Sequence, residues 1–76
     1  MERFTRITRH PGTMGGKACI RGLRITVSMI LGLLAAGHSM ETILAEYPYL
    51  EREDLLQALR YAARQTEECE LVLATA

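Results

Sequence analysis

Apolar residues recur along this 76-residue chain in two different rhythms, and the change of rhythm divides it. Over residues 4–9 the alternation is strict. Phe4, Arg6 and Thr8 fall on one side of an extended chain, and Thr5, Ile7 and Arg9 on the other, which is the period of a short strand. His10, Pro11 and Gly12 end it, since proline has no ladder donor and glycine permits a turn. Gly15 and Gly16 prolong the turn, and residues 17–25 read as a second strand. There Ile20, Gly22, Arg24 and Thr26 share one side, with Cys19, Arg21, Leu23 and Ile25 on the other. Gly22 marks a bulge or a close backbone approach. Residues 4–25 are therefore expected to form a β-hairpin or loosely paired arm. An isolated hairpin is only marginally stable, so the arm must lie on the helices or on a second subunit.

After residue 26 the period becomes helical. Thr26 or Ser28 caps a first helix, 27–36, in which Val27, Ile30, Leu31 and Leu34 recur at helical spacing. Met29 and Leu33 widen that stripe, which implies burial on more than one side. Gly37 supplies a left-handed end, with His38 in the turn. Ser39 caps a second helix, 39–47, with Met40, Ile43, Leu44 and Tyr47 on its apolar face. Pro48 stops it, and Tyr49 and Leu50 connect to a third helix, 51–65. Glu51, Glu53 and Asp54 complement the dipole of that helix's first turn. Its stripe reads Leu55, Leu56, Leu59, Ala62 and Ala63. Glu53, Gln57, Arg60 and Arg64 face outward, with Tyr61 at their margin. In the tail, 66–76, Cys69, Val72 and Leu73 either extend the helix or pack on a partner. The whole reads as one mostly α domain, a three-helix, helix-turn-helix-like bundle preceded by a β-arm.

Composition adds a size argument. The chain is 49% hydrophobic with one Phe and no Trp, which gives an aliphatic core and excludes disorder. A domain this small buries only about 60% of its unfolded surface, so a homo-oligomer or a protein partner is expected. Cys19 and Cys69 lack zinc-ligand spacing and read as two reduced thiols. No apolar run opens the chain as a signal peptide would, and no stretch nears the roughly 18–20 apolar residues of a membrane span. A cytoplasmic protein with no membrane contact is the expectation.

Charge is zero overall but divided. Residues 1–24 carry six Arg or Lys against Glu2 alone, whereas residues 25–76 carry three against eight acids. This gives a basic end for an anionic partner and an acidic end for something else.

Candidate chemistry narrows quickly. A phosphate loop needs glycine five positions before Gly16 and a hydroxyl after Lys17, but Pro11 and Ala18 stand there. His10 and His38 each lie in a turn and nothing pairs a nucleophile with a base, so no enzyme, metal or cofactor is expected. Two helices joined at Ala36–Ser39, followed by a third, match a trihelical helix-turn-helix. On that reading the DNA contacts are Arg6, Arg9, Lys17, Arg21 and Arg24 from the arm, with Gln57, Arg60 and Arg64 from helix three. Glu51, Glu53 and Asp54 at the tip of that helix oppose phosphate, which favours backbone grip over base reading. The alternative is an interaction or oligomerisation module without nucleic acid. Its arginines would pair between subunits with Glu41, Glu46, Glu67, Glu68 or Glu70.

The stretch GGKACIRGLRITV, followed by AAGHSMETILAEYPYLEREDLLQALRYAA, resembles the family catalogued as domain of unknown function 433. That family's pattern is Gly-Lys-Pro, an apolar pair, Arg-Gly-Thr-Arg-Ile-Pro-Val, then a Gly turn and Tyr-Pro-x-Leu before the last helix. The likeness spans roughly residues 5–64, and Gly22, Arg24, Val27, Gly37, Tyr47, Pro48 and Leu50 agree in spacing. Ala18, Leu23, Thr26 and Glu51 depart from it, at positions that affect turn stiffness and capping. The resemblance implies a small helix-turn-helix-like domain with an N-terminal arm, often dimeric. Some relatives are similar to antitoxins whose toxin is a PIN-domain ribonuclease. It brings no catalytic residues.

Overall fold

The computed structural model describes residues 3–67. Its elements are β1 (Ile7–Thr8), a 3-10 turn (Met14–Gly16), β2 (Cys19–Ile20), α1 (Val27–Ala35), α2 (Met40–Glu46) and α3 (Arg52–Glu67). The strands pair antiparallel, with Ile7 opposite Ile20 and Thr8 opposite Cys19. The expectation of a mostly helical domain with an N-terminal hairpin is met. The tail reading for Cys69, Val72 and Leu73, and the pairings with Glu68 or Glu70, lie outside the described residues.

The second strand is much shorter than the alternation predicts, because the chain reverses within it. Arg21 and Gly22 both take positive φ, +45° and +72°, and the Leu23 amide donates to the Ile20 carbonyl at 2.7 Å. Two successive left-handed residues closed by this bond make a type I′ turn. Gly22 is therefore a turn residue rather than a bulge. The reversal lets the Ile20 amide donate to Ile25 O, and Cys19 bridges Thr26. It also ends the predicted alternation, since Ala18, Cys19, Ile20 and then Ile25, Thr26 and Val27 are all buried.

Helix limits follow the caps. The Thr26 hydroxyl accepts from the Met29 amide at 3.0 Å and starts α1, so Thr26 rather than Ser28 is the cap. At the other end Gly37 has φ +99°, its amide donates to Leu34 O, and the His38 amide donates to Leu33 O, each at 3.1 Å. That pair of bonds is a Schellman motif, which a residue with Cβ closes only with strain. Ser39 caps α2 by accepting from the Thr42 amide at 3.1 Å.

The arm and the three helices each send one side chain to the centre: Ile20, Ile30, Ile43 and Leu55 are essentially inaccessible. Each contributes about 1.5–3 kcal/mol by leaving water. α3 is turned relative to its predicted face. Its buried residues are Asp54, Leu55, Gln57 and Ala58, with Tyr61 and Ala62 half-buried, whereas Leu59 is 40% exposed and Ala63 is exposed. The observed stripe is the predicted one displaced by one residue, a rotation of about 100°.

Candidate functional site

Asp54 explains that rotation. Its carboxylate is completely buried and receives four hydrogen bonds, as many as two oxygens with four lone-pair directions accept. Arg21 Nε reaches Oδ1 at 3.1 Å and Arg21 Nη2 reaches Oδ2 at 3.0 Å, a two-point fork. Arg6 Nη1 reaches Oδ1 at 3.0 Å. The Glu51 amide donates to Oδ2 at 2.8 Å, closing the first turn of α3 from the third helical position as the acid of a capping box does. Arg6 also pairs with the exposed Glu51 carboxylate, and Arg21 Nη2 donates to the Tyr49 carbonyl at 2.6 Å. Three segments far apart in sequence thus meet on one carboxylate.

The electrostatics follow from this arrangement. Burial raises the Asp54 pKa, but the hydrogen bonds from Arg21, the Glu51 amide and Arg6 outweigh it, and the group lies below its ordinary value. Hydrogen bonds to Glu51 and Asp54 raise the Arg6 pKa in turn. The left-handed backbone at Arg21 is uncommon for a residue with Cβ. Here it aims the guanidinium at Asp54 while Gly22, next in the turn, donates its amide to the Thr8 hydroxyl at 2.8 Å.

A second set of contacts continues along α3. Gln57, expected on the outer face, is buried: its Oε1 accepts from the Arg6 amide at 2.9 Å and its Nε2 donates to the Thr5 hydroxyl at 3.2 Å. Phe4 packs edge-on against Tyr61 with ring centres 5.4 Å apart, and Arg9 donates to the Tyr61 hydroxyl at 3.0 Å. The arm is thereby zipped to α3 from Phe4 to Arg9.

The remaining candidates lie outside this clamp. Lys17 and Arg24 are exposed and, among the described residues, have no acidic partner. Arg60 pairs with Glu53 at 3.0 Å and Arg64 with Glu67 at 2.9 Å, both on the outer surface of α3 together with Arg52. Of the eight residues predicted to touch DNA, Gln57 is buried and Arg6 and Arg21, although partly accessible, are engaged within the chain by Asp54. Asp54 and Arg52 were missed as members of the set. Asp54 reads from the sequence only as a first-turn acid, because the arginines that bind it lie 33 and 48 positions away.

An open groove of about 410 Å³ lies between the arm, the N-terminal half of α1 and the C-terminal half of α3. Val27, Leu31 and Ala62 line it, with Arg9, Lys17 and Tyr61 at its polar positions. Among the described residues, no acidic side chain lines it. Among the described residues, no group of three His, Cys, Asp or Glu converges as a metal site, and no helix is long and apolar enough to cross a membrane.

These features define a class: a small three-helix domain whose last helix is locked to an N-terminal hairpin by an arginine–aspartate–arginine clamp. The sequence profile of the family described as protein of unknown function (DUF433) matches residues 7–62, and the chain belongs to that family. It is 38% identical over 56 residues to the uncharacterized protein y4eO of Sinorhizobium fredii (strain NBRC 101917 / NGR234). The match covers 74% of this chain and 25% of y4eO, so the chain spans about a quarter of that relative's length. The fold is similar to the crystal structure of a DUF433 member protein from Anabaena variabilis ATCC 29413. The TM-score is 0.78 at 36% identity, covering 83% of this chain and 62% of that one.

Proposed function

We propose that the protein is a dimeric, DNA-contacting regulator of the antitoxin type, which binds the region upstream of its own gene and neutralises a partner ribonuclease of PIN type. The observation that carries this reading is the division of labour among the arginines. Arg6 and Arg21 hold α3 in place through Asp54, and the cations left at the surface lie on the outer side of α3 and on the arm. A helix fixed in this way, with Arg52, Arg60 and Arg64 outward, is suited to phosphate contact, and Lys17 and Arg24 extend the positive surface. The family resemblance supplies the partner class.

The test is fluorescence anisotropy on a duplex taken from upstream of the gene, across a salt series. Each phosphate contact contributes a slope of about −0.9 in log K against log salt. The Arg60→Ala, Arg64→Ala double variant should flatten the slope by about 2 of those units. Binding that does not respond to salt refutes the DNA part. For the partner part, co-expression with a PIN-type ribonuclease encoded beside the gene should yield an inactive complex.

One observation favours the second reading, an interaction module without nucleic acid: Glu53 and Glu67 sit against the arginines that would grip phosphate. That reading is preferred if no salt-dependent binding to DNA is found while the protein partner is still bound.

A further inference from the structure

Arg60 is paired at an uncommon spacing. Side chains on a helix meet three or four residues apart, and Arg64 with Glu67 is such a pair. Arg60 Nη1 instead reaches Glu53 Oε2, seven residues back, at 3.0 Å. Seven residues are two turns, about 10.5 Å of helix rise. Both side chains must therefore run along the axis of α3 rather than away from it. Helical side chains lean toward the N-terminus, so Arg60 follows its own lean. Glu53 lies in the first turn, where the positive end of the helix dipole favours its charge. Leu56 shares their face and is half-buried, which gives the arginine stem apolar surface along that path.

Both side chains stay accessible, 50% for Arg60 and 42% for Glu53. The guanidinium is thus within reach of solvent but drawn back along the helix by an acid of its own chain. Arg52, on the same outer face, shows the contrast: it is exposed and has no acidic partner among the described residues.

We infer that Glu53 is a built-in competitor of phosphate for Arg60, an autoinhibitory contact that lowers the affinity of this face for duplex DNA. The inference rests on the DNA part of the function proposed above and names the residue that regulates it. A phosphate oxygen takes the place of Glu53 at the guanidinium, so one charge-assisted hydrogen bond is exchanged for another. The freed carboxylate then stands near phosphates of its own sign. Both effects oppose binding.

Fluorescence anisotropy on the duplex from upstream of the gene tests this with four forms of the full chain: wild type, Glu53→Gln, Arg60→Ala and the two combined. Both positions are at the surface, so the substitutions preserve the fold, which circular dichroism checks. An exposed ion pair is worth up to about fivefold in an equilibrium, so with the relief of repulsion Glu53→Gln should tighten binding about five- to tenfold at low salt. In the Arg60→Ala background only the repulsion is relieved, and the gain should fall to about twofold. That non-additivity is the mark of competition for one group. Equal gains in the two backgrounds make Glu53 a like charge and nothing more, and overturn the inference while leaving the DNA reading intact. A Glu53→Gln chain that binds no tighter than wild type does the same. The absence of salt-dependent binding in all four forms overturns both.

Discussion

Replacing Asp54 by Asn removes one charge and little volume, which makes Asp54→Asn a direct measure of the clamp. The carboxylate is wholly buried, while the Arg6 and Arg21 side chains remain 28% and 37% accessible. Breaking a buried ion pair costs about 3–5 kcal/mol. Both arginines can partly rehydrate, and Asn keeps one acceptor oxygen, so the low end applies, about 3 kcal/mol. A 76-residue domain has roughly 4–11 kcal/mol in total, so the loss is a large fraction. With a urea slope near 1 kcal/mol/M for so small a protein, the unfolding midpoint should fall by about 3 M. The pH dependence adds a check. The folded pKa of Asp54 is depressed, so its contribution is fully present above the unfolded value of about 3.9 and is lost as pH falls through the folded value. The gap between wild type and Asp54→Asn should therefore be constant from pH 5 upward and close below about pH 4. Chemical denaturation followed by circular dichroism across pH 3–7 measures both. A midpoint shift under about 0.5 M, or a gap that does not narrow in acid, would refute the assignment of Asp54 as the ionised centre.

Three further outcomes follow from the same contacts. Gln57→Leu leaves the Arg6 amide and the Thr5 hydroxyl without their partner and should lower stability by about 1–3 kcal/mol in urea unfolding. Thr26→Ala removes the α1 cap and should cost about 1 kcal/mol, with Thr26→Ser recovering most of it by the same assay. Gly37→Ala, at φ +99°, should cost about 1 kcal/mol in thermal unfolding, because the Schellman end then requires a left-handed residue with Cβ.

Much of the architecture was legible because local signals set it. Thr26, Ser39, Gly37 and Pro48 each act within a few residues of themselves, and the helix limits they predict agree with the structure to within two residues. The face of α3 was not legible by the same means. Periodicity counts leucines and treats Asp and Gln as outward, but Asp54 and Gln57 are buried by partners 33 to 52 positions away. No window along the chain contains those partners. The reversal at Arg21 escaped for a related reason. Asn or Asp before Gly announces a type I′ turn, whereas arginine takes that backbone rarely. What holds Arg21 in place is again the distant Asp54. The surface reading was half legible: division of charge by segment located the basic arm, but only packing separates the arginines that hold Asp54 from those on the outer surface.

The clamp also has a kinetic side. Asp54 joins Arg6 and Arg21 across 48 and 33 positions of chain, and contacts of such range demand that long loops be closed first. The expectation is that they form once the arm and α3 have come together, so that Asp54→Asn speeds unfolding more than it slows folding in stopped-flow measurements. Interactions made late in folding act mainly on the rate of escape from the native state. The three side chains thus work as a latch: they leave the speed of folding largely to the helices and set how long the arm, once seated, stays on α3.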